Sequence, residues 1–244
     1  KLANWDLNEG MGITTLQDYG NPVYGMLQGP INTYDNFGVG NTGWLKKVDW
    51  VEYPRFGFVA GFNTPGANIK IDTTNFDLKN RFTIACWIKS KGKNTKRSVI
   101  LSKGDAKGIS SFSVELNAGK LQFYAPALGG NIPSNVLLND SGWHHIVIAC
   151  ADSQIKFYKD GKLLSSSIVK GSIAASPEPM TFGSAGDGSN SFSGNLSRIR
   201  IYGSSLSSVQ VTDLYNETES AGWDLDEGKG NTVYDNNGNQ HNAS

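Results

Sequence analysis

Apolar and polar residues alternate with a period of two in many short stretches of the chain. The clearest stretch is RFTIACWIK at 81–89, where Phe82, Ile84, Cys86 and Ile88 fall on one face of a strand. Similar runs, separated by Gly, Asn or Ser, predict further strands at 67–71, 98–102, 111–116, 120–124, 143–150, 154–159, 162–166 and 196–202. The pattern therefore predicts an antiparallel, all-β protein.

Two local signals refine this prediction. Asp160-Gly161 separates the strands at 154–159 and 162–166, and an Asp-Gly pair between alternating runs is a strong β-hairpin signal. In the last strand, alternation places Leu196 on the face opposite to Ile199 and Ile201.

The single helical pattern lies at 205–216 (SLSSVQVTDLYN). Ser207 or Ser208 is expected to cap its start, with Val209 and Leu214 buried. The prediction is thus one short helix at most.

Composition agrees with many short strands and tight turns. The chain has 244 residues and 29 glycines, and all-β sandwiches of this length often form a single domain. No apolar run approaches the roughly 20 residues that span a membrane, and the opening Lys1-Leu2-Ala3 does not resemble a signal peptide. We expect no membrane insertion.

The charge balance argues against a nucleic-acid partner. Lys plus Arg and Asp plus Glu number 22 each, so the basic excess typical of such proteins is missing. One basic run, KSKGKNTKR at 89–97, is interpreted as a solvated hairpin loop, with recognition of an acidic glycan or a phosphate surface as the alternative.

Cys86 and Cys150 both lie in apolar, strand-like runs. They are either buried free thiols or, if the two strands are neighbours, one disulfide. The two cysteines and three histidines show no zinc-ligand spacing.

The chain also contains an internal repeat. WDLNEGMG, beginning at Trp5, recurs as WDLDEGKG, beginning at Trp223. We therefore predict one complete domain at 1–218, followed at 219–244 by a tail that resembles the first strand of a following repeat.

Seven segments together carry a family resemblance. In chain order they are FTIACWIK, ILSKGD, GKLQFY, GWHHIVIA, IKFYKDGKLL, MTFGS and FSGNLSRIRIYGSSLSSVQVTDLY. Their order resembles the laminin-G-like domains of the concanavalin A-like superfamily. The resemblance implies a two-sheet antiparallel jelly-roll sandwich with one concave and one convex face. In such a sandwich, Trp87 and Trp143 are expected to pack in the core between the sheets.

The resemblance also implies a possible cofactor. Relatives of this fold often hold one calcium ion, and the corresponding positions here are Glu9, Gly61 and Ser197. Ser197 stands where the relatives have an acid, so the charge that would hold the ion is reduced.

No catalytic residues are predicted. Glycoside hydrolysis needs two facing carboxylates, and the nearest pattern, Asp224 to Glu227, belongs to the repeated first-strand motif. His144 and His145 are adjacent, so a strand directs them to opposite faces, and a structural role is favoured over lyase chemistry.

The segment 21–57 is rich in aromatic residues and resembles an insertion. Its proposed glycan-binding residues are Tyr34, Trp44, Lys46, Trp50 and Tyr53, because sugars stack on aromatic rings beside polar groups. The alternative is that this insertion covers a sheet edge or meets the next repeat. A loop at 125–135 is expected to form the opposite wall.

The favoured function is a carbohydrate-binding or adhesive module of a larger extracellular or surface protein, whether secreted, cellular or viral, with a glycan or polysaccharide as its partner. One alternative is a structural repeat, coat or fibre subunit that assembles through neighbouring repeats or strand exchange. Another is a polysaccharide lyase or glycoside hydrolase.

Overall fold

In the residues that the structure describes, the protein consists mainly of β-strands. A computed structural model describes the backbone at residues 3–5, 14–16, 24–28, 48–53, 57–71, 77–92, 96–104 and 110–216, and side chains from residue 59 onward. The elements are β1 (Ala3–Trp5), β2 (Thr14–Leu16), β3 (Tyr24–Gln28), β4 (Val48–Tyr53), β5 (Gly57–Phe62), β6 (Asn68–Ile71), β7 (Arg81–Ser90), β8 (Ser98–Gly104), β9 (Ser110–Asn117), β10 (Lys120–Ala125), a 3-10 turn (Pro126–Leu128), β11 (Gly130–Leu137), β12 (Trp143–Ala151), β13 (Gln154–Lys159), β14 (Lys162–Ile168), β15 (Met180–Phe182), β16 (Gly194–Tyr202) and α1 (Ser208–Asn216).

The strands form two antiparallel sheets that pack face to face. Sheet A has the order β14-β13-β12-β7-β16-β5-β4, and β1 also pairs with β16. Sheet B has the order β11-β10-β9-β8-β15-β6-β3-β2. This confirms the predicted two-sheet jelly-roll sandwich.

The core between the sheets is made by alternate residues of the facing strands. Phe82, Ile84, Cys86 and Ile88 of β7 all lie in this core, as the alternation predicted. The ring of Phe82 lies 5.4 Å from the ring of Phe123 in sheet B. Burial of each such apolar side chain contributes about 1.5–3 kcal/mol, so this face is a major source of stability.

A β-bulge in β16 makes one face prediction wrong. Ser197 pairs with Trp87 and Arg200 with Ala85, so two residues of β16 oppose one residue of β7. Arg198 adopts a positive φ of 49° at this point. The extra residue shifts the alternation, and Leu196 therefore shares the core with Ile199 and Ile201 rather than facing away from them.

The prediction that Trp87 and Trp143 pack in the core between the two sheets is wrong. Trp87 alternates with Cys86 and Ile88, so it is buried on the outer face of sheet A, where it packs with Val59 and the partly buried Trp143. Its ring stacks on that of Tyr215 from α1, with the ring centroids 5.7 Å apart. The outer face of sheet A thus carries a second apolar cluster beneath the helix.

The helix is present, but one of its expected buried residues is exposed. Ser207 caps α1 reciprocally: its hydroxyl accepts the Gln210 N–H at 3.3 Å, and its own N–H donates to the Gln210 side chain at 2.9 Å. Val211 and Leu214 face sheet A and are buried. Val209 is two positions before Val211, so the helical period directs it away from this buried stripe, and it is 70% exposed.

The segment 125–135 is not a loop. It forms the 3-10 turn and the start of β11, which is the edge strand of sheet B. Its Gly-Gly pair and Pro133 obscured the strand signal, but an edge strand tolerates a proline because one of its sides needs no N–H donor. β15, only three residues long, was also missed.

The two cysteines are buried free thiols. Their strands are neighbours, but Cys86 pairs with Ile146 and Cys150 with Phe82, so the cysteines are four positions apart along the ladder. No helix in the described part of the chain is long and apolar enough to cross a membrane. Residues 217–244 lie outside the described residues, and the division at 218/219 stays a prediction.

Replacement of Leu214 by alanine tests the packing of α1 on sheet A. Leu214 is 4% exposed, so Leu214→Ala should lower the free energy of unfolding by roughly 2–5 kcal/mol. Val209→Ala on the exposed face of the same helix is the matched control and should change it by less than about 0.5 kcal/mol. Equal effects in denaturant titrations would contradict the packing.

The thiols should be unreactive in the folded protein. Burial raises the pKa of Cys86 to about 12 and that of Cys150 to about 11, so neither forms a thiolate at pH 8. An aromatic disulfide reagent should label neither cysteine in the native chain and both after unfolding. Rapid labelling of one thiol without denaturant would contradict this prediction.

Candidate functional site

A pocket of about 560 Å³ lies where three connections of the sandwich meet. The first follows β5, the second leads into β8 and the third leads into β16. Its volume is within the range of about 300–1,000 Å³ that is usual for small-ligand sites. The lining residues are Phe62, Asn63, Thr64, Pro65, Lys96, Arg97, Ser98, Asn190, Ser191, Phe192 and Ser193.

The apolar part of the pocket is formed by Phe62 and Phe192, which are both buried. Their rings meet edge to face with the centroids 6.3 Å apart. Gly183 lies against this pair at a φ of +87°, and a Cβ there would come within 2.2 Å of the Phe62 ring. Only glycine fits this position, because a side chain would be strained and would displace the ring.

The connection that leads into β16 is fixed by hydrogen bonds. The Ser191 hydroxyl accepts the Gly66 N–H at 2.6 Å and lies 3.2 Å from the Gly188 carbonyl, to which it donates. The Asn190 carbonyl accepts the Val99 N–H at 2.7 Å. These bonds join the connection to Gly66, which follows β5, and to Val99 of β8, so this wall of the pocket is preformed.

Arg97 is held in the pocket wall by a buried carboxylate. Its Nε and Nη2 donate to Glu115 Oε2 and Oε1 at 2.8 and 2.6 Å. The Arg97 side chain is 45% exposed, whereas that of Glu115 is 0% exposed. The guanidinium carbon also lies 5.9 Å from the centroid of the Tyr124 ring. A two-point salt bridge and an aromatic neighbour restrict the arginine to one orientation.

Both members of this ion pair are charged at neutral pH. Burial raises the pKa of the Glu115 carboxyl, but hydrogen bonds from Arg97, Ser113 and Gln122 outweigh it and leave the pKa below its ordinary value. The hydrogen bond to Glu115 raises the pKa of Arg97. Glu115 accepts hydrogen bonds from the side chains of Arg97, Ser113 and Gln122, and through the first of these it fixes the position of Arg97.

One polar group in the lining has no partner within the described residues. The Ser98 hydroxyl belongs to a residue that is 5% exposed, and Oγ makes no hydrogen bond there. A buried hydroxyl without a partner costs about 1–3 kcal/mol, so such groups call for an explanation.

The predicted glycan-binding set is only partly described. Trp50 and Tyr53 lie in β4, where they pair with Ala60 and Gly57 of β5. β5 ends at Phe62 in the pocket lining, so this part of the set is on the adjacent strand. Tyr34, Trp44 and Lys46 lie outside the described residues. The set stays a prediction.

The predicted calcium positions are also incomplete. Gly61 pairs with Asn195 across β5 and β16, and Ser197 lies two residues further along β16 with its side chain buried. Glu9 lies outside the described residues. Within the described part, no cluster of three His, Cys, Asp or Glu residues suits a metal ion. Gly61 and Ser197 supply no charge, so the calcium site stays a prediction that depends on Glu9.

His144 and His145 have separate structural contacts. The two ring nitrogens of His144 lie 2.8 Å from Asp160 Oδ2 and 2.9 Å from Asp140 Oδ1. The N–H of Gly142 and then His144 hold the pKa of Asp140 down at about 2. His145 is buried against Trp87 with the ring centroids 5.3 Å apart, and burial first, then Arg200 and Arg198, lower its pKa to about 3.

The pocket joins residues that sequence patterns did not bring together. The basic run at 89–97 was expected mainly as a solvated loop, yet its last two residues, Lys96 and Arg97, line the pocket. Asn190, Ser191 and Ser193 were not predicted as site residues. Their only sequence signal is the Gly-, Ser- and Asn-rich stretch at 183–194, which is typical of any exposed connection.

Comparison with known families agrees with this architecture. A laminin-G family model, described as the concanavalin A-like lectin/glucanases superfamily, matches residues 63–212, more than half of the chain. The chain belongs to this superfamily, which confirms the resemblance seen in the sequence. The adhesion G-protein coupled receptor V1 of Danio rerio is 31% identical over 170 residues, 63% of this chain, and the chain spans 3% of that receptor's length.

Two solved structures show the same fold at low sequence identity. The binding domain of Paraclostridial Mosquitocidal Protein 1 is 16% identical with a TM-score of 0.67, and the match covers 91% of this chain and 53% of that one. Domain 4 of AbnA, an extracellular arabinanase from Geobacillus stearothermophilus in complex with arabinotriose, is 18% identical with a TM-score of 0.61, covering 87% and 97%. At these identities the likeness concerns the fold.

Replacement of Arg97 by methionine tests its ion pair with Glu115. Arg97→Met leaves a buried carboxylate without its cation, and we expect a loss of about 2 kcal/mol of unfolding free energy. Fully buried pairs lose about 3–5 kcal/mol, but Arg97 is half-exposed and solvent screens part of its effect. Arg81→Met is the matched control, because Arg81 and Asp152 form a similar two-point pair in solvent. The free energy of unfolding of this control variant should stay near that of the parent protein.

The effect of Arg97→Met should also depend on pH. In the parent protein the Glu115 pKa is depressed, so the pair stabilises the fold above the ordinary pKa of 4.5 and less as pH falls through the folded value. In the variant the buried Glu115 takes up a proton more readily. The stability difference should therefore be largest at pH 7 and shrink toward pH 4. A difference that is constant over this range would contradict a charged Glu115.

Proposed function

We propose that this chain is a carbohydrate-binding module of an extracellular or surface protein, and that the pocket between the three connections is its binding site. One observation carries the proposal: a polar, preformed pocket of about 560 Å³ in a lectin-type sandwich. Hydrogen-bonded walls keep such a site ordered before the ligand arrives, which lowers the entropic cost of binding.

The lining suits saccharide chemistry. Sugars combine apolar C–H faces with hydroxyl groups, and they bind where apolar surface lies beside donors and acceptors. Asn63, Asn190 and Ser193 provide polar groups. The rings of Phe62 and Phe192 are buried, so they support the lining and expose almost no surface to a ligand. Trp50 and Tyr53, on the strand beside β5, remain candidates for an additional stacking surface.

The relatives support this class of function. The arabinanase domain of the same fold was solved with arabinotriose, and the mosquitocidal-protein domain is described as a binding domain. The relation to an adhesion receptor supports a place at the cell surface or outside the cell.

The pocket favours binding over catalysis. Hydrolysis of a glycosidic bond normally uses two carboxylates on either side of the sugar, about 5–9.5 Å apart. Among the residues that the structure describes, the pocket lining contains no Asp or Glu, and the nearby Glu115 is buried and engaged by Arg97. The pocket thus offers contacts for a glycan without the acid and base of a glycosidase.

A glycan array with the full chain tests the proposal. We expect binding to a defined saccharide class, and Ser193→Trp should abolish it because the indole fills the pocket. Ser166→Trp is the matched control, since Ser166 is exposed on β14, the far edge of sheet A, and it should bind like the parent protein. Repeating the array in chelator tests the predicted calcium site.

Two results would overturn the assignment. Equal binding by both tryptophan variants would exclude the pocket, and loss of binding in Trp50→Ala or Tyr53→Ala alone would favour the predicted aromatic set instead. No binding to any saccharide, with or without calcium, would exclude a carbohydrate-binding function for the chain.

A further inference from the structure

We propose that the pocket selects a saccharide that carries an acidic group, either a carboxylate or a sulfate, and that Lys96 and Arg97 determine this selectivity. This inference rests on the proposed function and adds the chemical class of the ligand. The part of the lining that the structure describes contains two cations and no carboxylate.

Lys96 supplies the uncompensated charge. It is exposed and forms no ion pair with any described residue, whereas Arg97 is paired with Glu115. The local sum is therefore one positive charge in a chain whose net charge is zero. A recessed site with one sign of charge and low-dielectric walls concentrates ligands of the opposite sign.

The guanidinium of Arg97 has a fixed orientation. Glu115 takes up Nε and Nη2, so it fixes the plane of the guanidinium from the buried side. The contact with Glu115 uses two of the three guanidinium nitrogens, and Arg97 lines the pocket. An arginine that is already immobilised loses little side-chain entropy when its remaining N–H groups bind an oxyanion.

Ser98 is a further polar residue of the pocket lining. Its buried hydroxyl has no partner in the described part of the chain and is next to Arg97 in sequence. Because its Oγ is buried from solvent, a ligand in the pocket does not reach this hydroxyl unless the wall shifts. The acidic selectivity therefore rests on the oriented guanidinium of Arg97 and the ammonium of Lys96, which is unpaired among the described residues, and both residues belong to the pocket lining.

The Glu115 carboxylate does not make the site repulsive to anions. It is completely buried and accepts bonds from Arg97, Ser113 and Gln122, so its charge is distributed over three donors. Arg97 belongs to the pocket lining, whereas Glu115 does not. Charge-assisted hydrogen bonds of this kind contribute about twice as much as neutral ones.

Matched sugar pairs provide the test. The full chain is titrated with lactose, 3′-sialyllactose and 3′-sulfolactose, in low and high salt, by calorimetry. We expect the acidic members to bind at least about tenfold more tightly than lactose, with the ratio falling as salt rises. The sialyl and sulfo arms then distinguish a carboxylate from a sulfate ligand.

Variants assign the effect to named residues. Lys96→Gln should reduce the ratio of acidic to neutral sugar affinity severalfold. Lys162 is an exposed lysine on β14 outside the pocket, so Lys162→Gln should leave this ratio unchanged. Arg97→Lys keeps the charge but loses the two-point contact with Glu115, so it should lower the affinity for the acidic sugars. Circular dichroism and thermal unfolding show whether each variant is folded.

The outcomes separate this inference from the proposed function. Equal binding of lactose and the acidic sugars, abolished by Ser193→Trp, would overturn the acidic selectivity and leave the carbohydrate module standing. Lack of binding to every saccharide would overturn both. Adsorption to vesicles of anionic lipid, with no binding to the soluble acidic sugars, would overturn the inference in favour of a phosphate surface.

Discussion

The buried face of β7 is the constraint on which the sandwich depends. Phe82, Ile84, Cys86 and Ile88 must all lie between the sheets, and this fixes the register of β12 on one side and β16 on the other. A slip of one residue would move the whole set to the outer face and would place Thr83, Ala85 and Trp87 between the sheets. The same register places Trp87 on the outer face, and α1 then covers that face with Leu214 and Tyr215.

The pocket is a product of the same register. The end of β5 and the connection into β16 are neighbours only because β16 pairs with β5 through Asn195 and Leu196. Arg97 precedes β8 in the other sheet, and Glu115 of β9 holds it in place. The candidate site thus joins both sheets at one place, where rigid strands position groups that belong to short connections.

Alternation along the chain was sufficient to predict the fold class and the core face of β7, because period-two patterns report directly which residues face a core. Alternation did not predict the face that Leu196 occupies in β16, because a bulge shifts the alternation there and no sequence pattern marks the bulge. Nor did it reveal the contact between Arg97 and Glu115, which depends on the pairing of β8 with β9. The basic run indicated the chemistry of Arg97 but not its partner.

The position of β16 has a consequence for folding kinetics. This strand pairs with β5 and β1, which come from the start of the chain, so its ladder closes loops that span most of the sequence. Pairings of such high contact order form slowly and late. The wall of the pocket that leads into β16 therefore becomes ordered only when the chain is nearly complete. The ability to bind ligand would accordingly return as one of the last events in refolding. A bound ligand would slow unfolding, because it would stabilise the pairing of β16 with β5.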